Sequence, residues 1–190
     1  MASPFNSDQR GVSAPVAVTP DPFALFGLAP RFDLDPAALE ARFRDRSREL
    51  HPDRLGNAPA AERAQAMIRT RAINDAYQVL KRPERRAEHL LARAGLAIGD
   101  HERIDPAFLG EVLEAREELA EARAAGRTDT IERLEQAMKA RRDALLAALA
   151  PLFAAGDAAS LATAKQHLIT LRYVGRYLDE CEAALTDPGD

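Results

Sequence analysis

The stretch "RSRELHPDRLG", residues 46–56, sets a titratable ring, His51, and a carboxylate, Asp53, on either side of Pro52. Proline lacks an amide hydrogen and clashes with the preceding turn, so it ends the helix that runs into it. Stepping back from His51 in helical increments gives Arg48, Arg44 and Ala41 on one stripe, with Arg42 and Arg46 beside it. Arg54 carries the positive charge on into the loop. The remaining titratable groups offer no competing chemistry. His51, His89, His101 and His167 are scattered without ligand spacing, whereas a zinc site needs a clustered donor set. The single cysteine, Cys181, cannot build a disulfide framework or a thiolate cluster within one chain. There is no glycine-rich phosphate loop and no nucleophile elbow. The expectation is therefore a protein that binds partners, with no catalytic residue, metal or cofactor of its own.

A second candidate surface lies in "AFLGEVLEAREELAEARAAG", residues 107–126. Read as a helix, Phe108, Val112, Ala115, Leu119 and Ala122 form a core stripe. Leu109 and Leu113 fall to one side of it, and Glu114, Glu117 and Glu121 come next. Such a row is either a wide apolar face with a solvated back or a partly exposed leucine pair bordered by carboxylates. The latter suits a partner with an apolar knob and a basic rim. On the last helix Ala164, Leu168, Leu171, Leu178 and Leu185 make a drifting core stripe, from which Tyr173 is expected to point away, either to cover a neighbouring helix or to join a binding patch.

These residues need helices to hold them, and the chain supplies the signals. Asp21-Pro22, Asp35-Pro36 and Asp105-Pro106 each place a capping carboxylate before a proline at the first helical position. The expected helices run from about Pro22 to Leu28, Pro36 to Leu50, Pro59 to Lys81 and Pro83 to Ala94. After a linker, "GLAIGDHERI", come helices from about Pro106 to Ala125, Thr130 to Ala155 and Ala158 to Leu185. Asp129 with Glu132 is the expected cap of the second of these. Leu39, Phe43 and Leu50 should pack against Ile73, Ala76, Tyr77 and Leu80. The short breaks at Gly126 and Gly156 make neighbouring helices antiparallel. The fold class is thus all-α: a disordered tail (1–20), a four-helix N-terminal half (21–94), a linker (95–104), a three-helix bundle (105–186) and a short tail (187–190).

Within 190 residues the net charge is −4, which counts against a dedicated nucleic-acid binder, although the arginine-rich second helix keeps that alternative open. No apolar run approaches the roughly 20 residues of a membrane span. The first twenty residues lack a secretory pattern and match an Arg-rich transit peptide poorly. The expected setting is cytoplasmic, with a mitochondrial matrix as the alternative.

"DPFALFGL", "LEARFRDRSRELHPDRLG" and "RAINDAYQVLKRPERRAEHLL" together resemble the J domain of co-chaperones that act on seventy-kilodalton heat-shock-type ATPases. The resemblance implies an antiparallel hairpin of the second and third helices. It also implies that His51, Pro52 and Asp53 contact the partner chaperone between its ATPase domain and linker and promote hydrolysis there. In that role Pro52 fixes the corner, Asp53 offers a carboxylate to an arginine fork and His51 a directional donor or acceptor. Arg44, Arg48 and Arg54 would steer the encounter with an acidic surface.

With "FLGEVLEAREEL" following in order, the chain resembles the HscB family, the J-type co-chaperones of iron–sulfur cluster biogenesis. That resemblance implies an L-shaped molecule, an HscA-like chaperone as one partner and an IscU-like scaffold as the other, with neither nucleic acid nor membrane. The scaffold-binding face maps onto Leu109, Leu113, Glu114, Glu117, Glu121 and Tyr173. Gly110 departs from the family pattern, which favours a larger apolar side chain there, and the chain has no zinc module with paired Cys-x-x-Cys. A J protein for general folding is the other alternative, though no glycine-rich or cysteine-rich client module is visible.

Overall fold

A computed structural model describes residues 20–50, 59–99 and 102–186. The N-terminal tail over 1–19, the corner residues His51, Pro52, Asp53 and Arg54, and the last four residues lie outside the described set. The described chain forms α1 (Pro22–Leu25), α2 (Pro36–Glu49), α3 (Ala60–Lys81), α4 (Pro83–Arg93), α5 (Pro106–Ala124), α6 (Thr128–Ala155) and α7 (Ala158–Thr186).

The Asp-Pro pairs act as caps. The Asp21 carboxylate accepts from the Phe23 amide at 3.2 Å, Asp35 from Ala37 at 2.9 Å and Asp105 from Ala107 at 2.9 Å. Each supplies an acceptor to an amide that has no partner inside the helix. Two boundaries differ from expectation. The first helix stops at Leu25, because Gly27 takes φ 61° and lets the Leu28 amide reach back to the Phe23 carbonyl at 2.9 Å. Helix α6 begins at Thr128, with Arg127 rather than Asp129 at its N-cap and no side-chain cap bond. The cause is the tight closure of α5: Gly126 at φ 62° allows the Arg127 amide to donate to Ala122 at 2.8 Å, and α6 starts at once. Asp129 sits inside the first turn, where a negative charge still meets the positive end of the helix dipole. The expected pair of Asp129 and Glu132 is therefore not the cap.

Core packing follows the apolar stripes. Leu39 of α2 meets Ile73, Ala76, Tyr77 and Leu80 of α3, with Phe23 and Phe26 closing the cluster and Phe43 and Leu50 half-buried at its edge. Phe43 stacks on Tyr77 with ring centroids 4.1 Å apart. In the C-terminal half, Phe108 and Val112 of α5 pack on Val174, and Leu119 and Ala122 pack with Ile131, Leu134, Tyr177, Cys181 and Ala184. Tyr177 is fully buried, and its hydroxyl donates to the Ala115 carbonyl at 3.0 Å, so the polar tip is satisfied. Burial pushes the Cys181 thiol up to about 11, which leaves it a neutral packing group.

The two halves share a core. Ala87 and Leu91 of α4, together with Phe32 from the α1–α2 connection, pack against Leu149 of α6 and Ala164, Leu168 and Leu171 of α7. Phe32 stacks on Phe153 at 5.3 Å, while the Arg86 guanidinium lies 5.0 Å over the same ring and donates to the Leu80 carbonyl at 2.7 Å. Outside the apolar contact, both the Nε and an Nη of Arg172 donate to Glu88, at 3.0 and 2.9 Å. The connecting stretch is held down where it is described. Leu96 and Ile98 pack on the shared core, Ile104 on the Phe108 cluster, and Glu102 meets Lys165 at 2.8 Å.

Candidate functional site

Two outward faces carry the residues expected to recognise partners. On α2, Leu39 is buried and Phe43 half-buried, which fixes the rotation of the helix about its axis. The hydroxyl of Tyr77 donates to Glu40, locking α2 to α3 and holding the phenol above the usual tyrosine range, with burial adding to the shift. Given that rotation, Arg44 and Arg48 are exposed. The four arginines of this helix differ in engagement. Arg42 reaches the Phe26 carbonyl at 3.4 Å, Arg46 meets Glu49 at 3.2 Å, and Arg48 makes a looser 3.6 Å contact with Asp45. Exposed pairs of this kind are worth at most about 1 kcal/mol, so they do little to hold Arg46 and Arg48 from an incoming partner. His51, Pro52, Asp53 and Arg54 lie outside the described residues.

On α5 the rotation is set by Phe108, Val112, Leu119 and Ala122, all buried. Ion pairs fasten both edges of the helix. Arg116 forms a two-pronged bond with Glu180 of α7 at 2.9 and 2.6 Å. On the α6 side Arg141 meets Glu111 at 2.6 Å and Arg133 meets Glu118. The side left facing out holds Leu109, 37% exposed, and Leu113, 52% exposed, with Glu114, Glu117 and Glu121 also exposed. Among the described residues no ion pair to these three carboxylates is seen. Helix α5 thus divides its acids: those toward α6 hold the bundle together, and those facing away stand around the leucines.

Of the two expectations for Tyr173, its packing fits the cover over a neighbouring helix. It is half-buried, packs at the edge of the Phe108–Val112–Val174 cluster, and has Arg176 5.5 Å over its ring. Its position on α7, one step ahead of Val174, lets it cover α5 rather than stand in solvent. The sequence reading also passed over Met67 and Ile68, which are 74% and 70% exposed on α3. A signal was available, since neither falls on the helical stripe that joins the buried Ala66 to Ile73.

Comparison with known proteins bears on both halves. Residues 21–89 match the DnaJ domain family, and residues 104–182 match the family described as the HSCB C-terminal oligomerisation domain. A co-chaperone protein HscB homolog of Azoarcus sp. (strain BH72) is 36% identical over 168 residues, spanning 87% of this chain and 95% of that protein. The chain belongs to the HscB family. A second HscB homolog, from Neisseria meningitidis serogroup C, is 34% identical over 86% of this chain and 98% of its own length. The fold agrees: chaperone HscB from Vibrio cholerae superposes with a TM-score of 0.73 at 32% identity, covering 86% of this chain and 96% of that one. Human co-chaperone HscB gives 0.77 at 26% identity, over 94% and 88%. As an HscB-family J protein the chain is a co-chaperone and not a catalytic enzyme. Among the described residues no helix is long and apolar enough to cross a membrane.

Proposed function

We propose that this co-chaperone serves iron–sulfur cluster assembly by bringing an IscU-like scaffold protein to an HscA-like chaperone and stimulating the ATPase of that chaperone. The corner His51-Pro52-Asp53, with Arg44, Arg48 and Arg54, engages the chaperone. Leu109, Leu113, Glu114, Glu117, Glu121 and Tyr173 hold the scaffold. A binding protein changes the turnover of its partner only by favouring one of that partner's conformations, and polar groups with steering cations beside them are suited to such differential contact. The bacterial relatives support a cytoplasmic setting.

The observation that carries this reading is the division of α5, where Leu109 and Leu113 remain open beside three carboxylates that have no ion pair among the described residues, while every other large apolar side chain of the helix is buried. The test is one ATPase assay of the purified chaperone, run with and without scaffold. Asp53→Asn should abolish stimulation while leaving the melting curve of the co-chaperone unchanged. Leu109→Ala/Leu113→Ala should weaken calorimetric scaffold binding by about tenfold or more, in keeping with loss of a central apolar anchor. Full stimulation by Asp53→Asn would remove the corner from the mechanism, and undiminished scaffold binding by the leucine variant would move that partner elsewhere.

A further inference from the structure

Phe32 and Phe153 stack where the two halves meet, and neither ring is held firmly by its own element. Phe32 stands on the connection between α1 and α2, which is not helical over residues 26–35. Phe153 stands in the last turn of α6, beyond Pro151. Proline has no amide to offer the Ala147 carbonyl, so this turn is tied to the rest of the helix by fewer bonds than an unbroken one. Beside the stack lies a cleft of about 250 Å³, walled by Pro30, Asp33, Leu90 and Ala154 among others. Such a seam could close at more than one angle, and Arg86 of α4 braces it. Its guanidinium lies 5.0 Å over the Phe32 ring and donates at 2.7 Å to the Leu80 carbonyl, in the last turn of α3, where helix carbonyls lack partners of their own. The Nε of Arg86 is buried without a hydrogen-bond partner among the described residues, and burial pushes its pKa below the ordinary arginine value against the pull of Asp33 and Glu84. That is an unfavourable place for a cation, and an aliphatic side chain would fill the same space without the desolvation.

We propose that Arg86 is a positioning residue, whose planar guanidinium couples the end of α3 to the Phe32–Phe153 stack and so fixes the angle between the basic stripe of α2 and the open face of α5. This rests on the reading of those two surfaces as the chaperone and scaffold sites. They stand on either side of the seam, since α2 packs on α3, and α5 on α6 and α7. Two binding sites joined in one chain reinforce each other only when the span between them lets both partners be engaged together. The seam sets that span, because α4 follows α3 directly and lays Ala87 and Leu91 against α6 and α7. Arginine suits the task better than lysine: its flat group can lie against a ring while donating from its edge to a carbonyl, whereas lysine offers a point charge.

The experiment uses the full-length chain with the intact scaffold and the purified chaperone, and compares Arg86→Met, Arg86→Lys and Phe153→Leu with the parent. Calorimetry reads scaffold affinity, and an ATPase assay reads stimulation without scaffold and the further gain when scaffold is added. Arg86→Met should leave affinity and scaffold-free stimulation within about twofold of the parent and cut the further gain by about fivefold or more, the low end of coupling between linked sites. Arg86→Lys keeps the charge and a donor for the Leu80 carbonyl, and should fall between Arg86→Met and the parent. Phe153→Leu keeps Arg86 but removes the stacked ring, and should behave as Arg86→Met. Distances between spin labels on cysteines at the exposed positions Gln78 and Asp129 should spread in Arg86→Met and Phe153→Leu. An undiminished gain with an unspread distance in Arg86→Met overturns the proposal. So does a loss of scaffold affinity as large as the loss of gain, which would make Arg86 a support of the bundle alone. Should Arg86→Met fail to fold, Phe153→Leu decides by the same readouts. If the parent itself gains nothing from scaffold, the reading of the two surfaces falls, and the spin-label distances judge the brace: an unspread distribution in Arg86→Met overturns it, and a spread one leaves Arg86 as the residue that sets the angle.

Discussion

Leu91 and Leu113 are leucines within helices that both begin at a proline, yet Leu91 is fully buried and Leu113 is 52% exposed. Each belongs to an apolar patch on the outer side of its own small helical unit. The patch on α4 meets Leu149, Ala164, Leu168 and Leu171, so the molecule covers it with its own chain. The patch on α5 stays open among the described residues, with Leu109 and Leu113 both exposed. The difference lies in the neighbours rather than in the leucines. Around Leu91 the polar groups reach across the contact, with Glu88 to Arg172 and Arg86 to the Leu80 carbonyl. Around Leu113 the carboxylates of Glu114, Glu117 and Glu121 have no ion pair among the described residues, which keeps the patch wetted and selects against coverage by anything that is not basic.

The largest effect that would break this comparison is expected at the closed patch. Leu91→Ala removes a fully buried side chain from a core shared by both halves and should cost about 2–5 kcal/mol, lowering the melting temperature by roughly 5–15 °C. Differential scanning calorimetry reads it directly. A loss below about 1 kcal/mol would mean that the α4 contact is loosely packed and that the two patches are alike after all.

A smaller effect should appear with pH. His167 lies on the α7 segment that contributes Ala164, Leu168 and Leu171 to the closed core. Its Nδ1 is buried without a hydrogen-bond partner among the described residues, and burial holds its pKa below the usual histidine value. The folded chain therefore resists a proton that the unfolded chain accepts. Stability from the neutral ring is fully present above the unfolded pKa, near 6.5, and drains away as pH falls through and below it. Melting temperature should decline from about pH 7 to about pH 5 more steeply for the parent than for His167→Leu. Parallel declines would show that the ring contributes nothing to acid sensitivity.

How much of this was legible in the sequence depended on the range of the interaction. The Asp-Pro caps and the stripes on α2, α3 and α5 were readable because each is decided within a turn or two of helix. Leu39 with Tyr77 and Phe108 with Val112 came out as expected for that reason. What the pattern did not reveal were choices made between distant segments. Leu96 and Ile98 show no helical period, yet they pack because the shared core passes directly under them. The stripe on α7 left Tyr173 with two readings, and only the fold shows it packed at the edge of the Phe108–Val112 cluster of α5. The start of α6 was misplaced because the closing hydrogen bond at Gly126 used up the turn that a cap at Asp129 needed. On the candidate surfaces, periodicity set Leu109 and Leu113 aside from the core, and their exposure on the folded bundle agrees. The grouping of Glu114, Glu117 and Glu121 against the paired Glu111 and Glu118 needed the positions of Arg133 and Arg141 on another helix.

The sharpest form of the comparison is also the smallest expected change in stability. Leu113→Ala removes a half-exposed side chain, so little apolar area is returned to water, and alanine is the better helix former. The net effect should lie within about 0.5 kcal/mol, a shift in melting temperature of roughly 2 °C or less. The same substitution chemistry thus separates the two patches by most of an order of magnitude in free energy. If Leu113→Ala instead destabilises the chain as strongly as Leu91→Ala, then the α5 face is covered in solution. A second copy of the chain would be the first occupant to examine, and analytical ultracentrifugation of parent and variant would show it as a dimer that the substitution dissolves. A monomeric parent with a near-neutral Leu113→Ala leaves the face open, and the exposure of its leucines is then a property of the folded monomer that a partner can use.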